Sequence, residues 1–99
     1  MGAEQSPLSL PGEDLIRRGL GDLEGGVESV ESLLVSIGAP RLRRLGLTIA
    51  TPLTTPEQRL YRLLEKTYGD AAHSRYNALV RRLVSYERAA AVAGLVPHA

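Results

Sequence analysis

The chain has 99 residues, 43% of them apolar, and a formal net charge of +1, which is the size and balance of one globular domain with a modest core and speaks against wholesale disorder. It contains no cysteine, so disulfides, thiolate nucleophiles and Cys-ligated metals are excluded, and with no Phe or Trp its four tyrosines supply all the aromatic area. No run is long enough to span a bilayer, and the start Met1-Gly2-Ala3-Glu4 lacks the basic flank and apolar stretch of a secretory signal; no membrane partner and a cytoplasmic setting are therefore expected.

Residues 1–11 place Pro7 and Pro11 among Ser, Gln and Gly and read as a flexible arm, with Leu8 and Leu10 free to dock on the body. After Glu13 and Asp14, Leu15, Ile16, Leu20 and Leu23 recur at helical spacing. Gly19 and Gly21 weaken that helix by about 1 kcal/mol each relative to Ala. They match no dinucleotide or phosphate-loop pattern, and together with Gly25 and Gly26 they read as flexible joints.

Beyond Gly25-Gly26, the apolar residues Val27, Val30, Leu34 and Ile37 define one face of a second helix, widened by Leu33. Gly38-Ala39-Pro40 reads as its stop, because glycine suits a left-handed cap and proline cannot extend the hydrogen-bond ladder. Arg41–Leu45 is then a separate short helical turn before Gly46. Leu47–Thr51 has no second strand to pair with and is predicted to be a loop whose Leu47 and Ile49 plug the core.

Thr55-Pro56-Glu57-Gln58 reads as a helix start, with Thr55 as N-cap, Pro56 in the first turn and Gln58 completing a capping box. This helix should reach Thr67 or Tyr68, with Leu60, Leu63, Leu64 and Thr67 inside and Arg59, Arg62 and Lys66 outside. Gly69 ends it, and Asp70 should cap the last helix, which is predicted from Ala71 to about Ala93 and roughly 35 Å long. A stripe of Ala72, Tyr76, Leu79, Leu83, Tyr86 and Ala90 runs along it, flanked by Val80 and Val84.

Candidate chemistry is sparse. His73 and His98 are too few and too far apart to suggest a metal site, and no cofactor site is expected. Tyr61, Tyr68, Tyr76 and Tyr86 fit core or interface packing better than a joint base-stacking platform. Glu87 stands out because a helical wheel places it inside the apolar arc of the last helix, where an isolated carboxylate is costly. It should meet an arginine, reach solvent through a gap or sit at a subunit contact; an acid catalyst would also suit the position, but no partner group for a reaction is visible.

Charge is divided along the chain: residues 1–35 carry Glu4, Glu13, Asp14, Asp22, Glu24, Glu28 and Glu31 against Arg17 and Arg18, whereas residues 36–99 hold the other ten basic residues against Glu57, Glu65, Asp70 and Glu87. The two halves should therefore pack on each other, or the second should meet an acidic partner. Arg41, Arg43, Arg44, Arg75, Arg81, Arg82 and Arg88 form a candidate nucleic-acid face, since arginines on helices neutralise phosphates. The last helix is too long for the short recognition helix of a helix-turn-helix, however, and a solvated surface accounts for the same residues.

The expected fold is all-α: a small irregular bundle of about four helices over residues 12–94, between a flexible arm at 1–11 and a flexible tail at 95–99. The expected role is non-enzymatic, as a protein-interaction module or small structural subunit, with self-association as a homodimer through Tyr76, Leu79, Leu83, Tyr86, Glu87 and Ala90. Nucleic-acid binding or a regulatory role through the arginine face is the alternative.

Overall fold

The computed structural model describes residues 10–94, so most of the expected arm, including Leu8, and the whole expected tail with His98 lie outside the described residues. The described chain is a small all-α bundle: α1 (Glu13–Glu24), α2 (Val30–Arg44), α3 (Pro56–Tyr68), a 3-10 turn at Gly69–Ala71, and α4 (Ala72–Val92). Its core gathers Ile16 and Leu23 from α1, Leu33, Leu34, Val35 and Leu42 from α2, Leu60 and Leu64 from α3, and Leu83, Tyr86 and Ala90 from α4. α2 is the central helix, packing against each of the other three.

Both ends of α2 are built by specific backbone devices. Ser29 caps its N-terminus: the Ser29 hydroxyl accepts from Ser32 N–H at 3.0 Å, while the Ser32 hydroxyl oxygen accepts from Ser29 N–H at 2.7 Å. The helix therefore begins at Val30, and Val27, expected on its buried stripe, stands outside it and is 50% exposed. Val27 belongs instead to the C-terminal motif of α1, in which Gly26 takes a φ of 72°, Gly26 N–H reaches the Leu23 carbonyl, and Val27 N–H reaches that of Asp22. That doubly bonded reversal fixes the turn, so Gly25-Gly26 is a built corner and not a joint.

The expected stop at Gly38-Ala39-Pro40 is corrected: α2 continues through all three residues, Arg41–Arg44 form its last turn and Leu45 is its C-cap. Pro40 removes the donor that the Ser36 carbonyl would receive, but its ring lies on the exposed face while Ala39 and Leu42 beside it are buried and hold the helix. The real stop is Gly46, at a φ of 93°, whose N–H bonds the Arg43 carbonyl while Leu47 N–H bonds that of Leu42. The loop beyond places Ile49 in the core and Leu47 against it. Buried Ser36 ties that connection down, donating to the Ser32 carbonyl at 2.8 Å and accepting from Leu53 N–H at 3.0 Å.

Two further caps differ from expectation. Thr55 precedes α3 in the left-handed region, with φ 42° and ψ 53°, and its side chain makes no capping hydrogen bond, so the box with Gln58 does not form. Asp70 lies within the 3-10 turn, and α4 starts after Ala71 without a side-chain cap. Thr67, expected inside α3, is exposed and its hydroxyl turns back to the Leu63 carbonyl.

Glycines permit the closest helix approaches. A Cβ on Gly19 of α1 would lie 2.4 Å from the Glu31 carbonyl oxygen and 2.5 Å from Val35 Cγ2, so α1 crosses α2 at bare backbone. Gly19 is thus a packing point. On the opposite side, a Cβ on Gly38 would meet Leu83 Cδ1 at 2.9 Å and Glu87 Oε2 at 3.1 Å, which lets α4 settle onto α2.

Candidate functional site

The C-terminal ends of α2 and α4 enclose an open cleft of about 330 Å³ lined by Arg41, Arg44, Leu45, Glu87, Arg88 and Ala91. α2 supplies two arginines one turn apart together with Leu45, and the arginines' positive charge offsets the partial negative charge of the last carbonyls of that helix. α4 supplies Glu87, Arg88 and Ala91. Three arginines and one carboxylate therefore line, with Leu45 and Ala91, a cleft whose wall is mostly apolar.

Glu87 organises this cleft. Its side chain is 10% exposed, and its Oε1 accepts from Arg41 Nε at 3.1 Å, which answers the requirement its place in an apolar arc imposes. Oε2 is buried beside Gly38 without a hydrogen-bond partner among the described residues. Arg44 and Arg88 are exposed and meet no carboxylate among the described residues.

The other arginines expected on a nucleic-acid face are dispersed. Arg43 donates to the Ile49 carbonyl at 3.2 Å and holds the loop after α2. Arg75 lies over the Tyr68 ring at 4.2 Å, near the N-terminal end of α4. Arg82 approaches Asp14 of α1 at 3.5 Å, and Arg59 approaches Glu28 at 3.7 Å, so the two oppositely charged halves of the chain do meet. Arg81 is exposed.

Of the stripe expected at a subunit interface, Leu83, Tyr86, Glu87 and Ala90 are buried within the single chain, while Tyr76 and Leu79 are half-buried. Gly12, at a φ of 75°, brings the start of α1 onto α4, where a Cβ would lie 3.0 Å from the Arg82 carbonyl and 3.6 Å from Tyr86 Cβ. Tyr61 packs on Tyr76 with ring centroids 5.7 Å apart. At about 31 Å, α4 fits within the longest extent of the molecule, 40 Å.

Leu45 and Ala91 were not distinguished in the sequence. The signal that could have found Leu45 is the unbroken register of α2 through Pro40, which brings Arg41, Arg44 and Leu45 to one end of the helix. His73 is exposed and lies 3.2 Å from Asn77 Nδ2. No group of three or more His, Cys, Asp or Glu side chains among the described residues could hold a metal, and no described helix is long and apolar enough to cross a membrane. The chain matches no protein-family model, no curated protein and no solved structure.

Proposed function

We propose that this chain is a non-enzymatic interaction module whose α2–α4 cleft docks an acidic segment of protein. The observation that carries this reading is the excess of arginine over carboxylate along a mostly apolar cleft: Arg41 is held by Glu87, whereas Arg44 and Arg88 line the cleft with Leu45 and Ala91 and meet no carboxylate among the described residues. Guanidinium groups bind carboxylates through paired, charge-assisted hydrogen bonds, and apolar surface beside them rewards a ligand that also carries aliphatic side chains.

A nucleic-acid duplex suits this surface less well. Phosphate binding calls for cations presented together along a surface, but Arg41, Arg43, Arg75 and Arg82 are each engaged within the chain. Self-association through the whole α4 stripe would require opening the core, because Leu83, Tyr86 and Ala90 are already buried within the single chain.

Fluorescence anisotropy with a labelled peptide of mixed Glu and Leu tests the acid-docking role. Binding should weaken with salt and fall at least about tenfold in the Arg44→Glu/Arg88→Glu variant, whose substitutions lie on exposed side chains. Binding that is indifferent to both changes would remove the cleft from consideration, and tighter binding of a generic DNA duplex than of the peptide would favour the nucleic-acid role.

A further inference from the structure

The turn between α1 and α2 presents the reverse of what the cleft offers. It projects Val27, 50% exposed, between the exposed acids Glu24 and Glu28, and the two backbone hydrogen bonds that close the Gly26 corner hold this projection rigid. Glu24 has no cationic partner among the described residues. The projection adjoins the N-terminus of α2, and the cleft lies at its C-terminus; with 15 residues between the ends, they are about 22 Å apart on the molecule. Exposed acids stand beside one end of α2 and exposed arginines at the other, so the two ends are complementary in charge.

Resting on the acid-docking role given to the cleft above, we infer that the occupant of the cleft is a second copy of this chain, which inserts its Glu24–Glu28 turn. Val27 would lie on Leu45 and Ala91, and Glu24 would meet Arg44 and Arg88. A copy cannot fill its own cleft, because the turn and the cleft stand at opposite ends of one rigid helix. The contact is therefore head-to-tail: every open assembly leaves one turn and one cleft unfilled, and growth continues unless the rotation between copies closes a ring. The projecting turn is small against a standard interface, so association should be concentration-dependent and weakened by salt.

Complementary blocking separates this arrangement from any symmetric dimer. One variant, Glu24→Lys/Val27→Lys, loses the turn and keeps the cleft; the other, Arg44→Glu/Arg88→Glu, loses the cleft and keeps the turn. All four positions are exposed, and circular dichroism verifies that both variants keep their helices. In sedimentation velocity at low salt, the parent chain should grow in mass with concentration, each variant alone should remain monomeric, and an equimolar mixture should form a heterodimer that does not extend. A parent that stays monomeric up to millimolar concentration, or a mixture that stays monomeric, overturns the inference. The Glu/Leu peptide keeps this failure distinct: a monomeric parent that binds the peptide retains the acid-docking cleft and loses the second copy as its occupant, whereas a parent that does neither loses both.

Discussion

Arg41 donates its Nε hydrogen to Glu87 Oε1 across 3.1 Å, and the two residues stand on opposite sides of the contact between them: the arginine side chain is 60% exposed, the carboxylate 10%. The pair is consequently asymmetric in energy. Replacing Arg41 strands a buried carboxylate whose second oxygen already lacks a donor, whereas replacing Glu87 leaves an arginine that water can solvate. Arg41→Met should therefore cost roughly 1–2 kcal/mol, and Glu87→Met, which restores an apolar residue to an apolar arc, should be neutral or stabilising. Urea denaturation of both variants measures this, and a greater loss in Glu87→Met would overturn the assignment.

Gly19 and Gly21 are two residues apart on α1 and should respond in opposite directions to alanine. A Cβ at Gly19 would meet the Glu31 carbonyl at 2.4 Å, so α1 must move off α2, at a cost of about 1–3 kcal/mol. A Cβ at Gly21 would meet nothing within 4 Å, leaving only the gain of about 0.4–1 kcal/mol that alanine brings to a helix. Shifts of the urea midpoint in the same direction for both variants would contradict the close crossing.

The same glycines mark how far the sequence could be read. Apolar spacing gave the all-α class, because amphipathic periodicity is a property of each helix alone, while Pro56 and Gly69 marked the ends of α3. It also placed Glu87 inside an apolar arc and so required a partner. That the partner is Arg41, 46 residues away, depends on how α2 and α4 pack and is not encoded in local spacing. Pro40 misled for a related reason: its missing N–H is a local defect, but the buried residues beside it carry the helix through. With the helix broken there, Arg41, Arg44 and Leu45 could not be seen as one end of α2, and the cleft stayed hidden. Val27 fitted the stripe by spacing alone, while Ser29 and Ser32, which set the true start of α2, carry no apolar signal.

The two helix starts that resemble each other in composition should behave differently. Ser29→Ala removes a formed capping bond and should cost about 1 kcal/mol. Thr55→Ala removes no capping bond and should be close to neutral, while Thr55→Gly should stabilise by about 1 kcal/mol, because a β-branched residue at a φ of 42° is strained and glycine is not. Equal losses for Ser29→Ala and Thr55→Ala in urea would restore Thr55 as a cap.

Tyr86 should make the fold sensitive to alkali. It is 4% exposed, and burial pushes its phenol above the ordinary value of 10.0, with the Glu13 carboxylate adding to the rise and Arg17 opposing it. Tyr76 is raised as well, first by burial and then by Glu57. A phenol whose folded-state pKa exceeds its unfolded-state value holds its proton longer in the folded chain, so the stabilisation is fully present below pH 10.0 and is lost as the pH climbs through the folded-state value. In urea titrations at pH values from about 8 to 11, the unfolding free energy of the parent should fall above the unperturbed tyrosine range. Tyr86→Phe cannot ionise at that position and should show a shallower fall, while Arg17→Gln, which removes the opposing charge, should move phenolate absorbance to higher pH. A decline as steep in Tyr86→Phe as in the parent would transfer the alkaline sensitivity to another group.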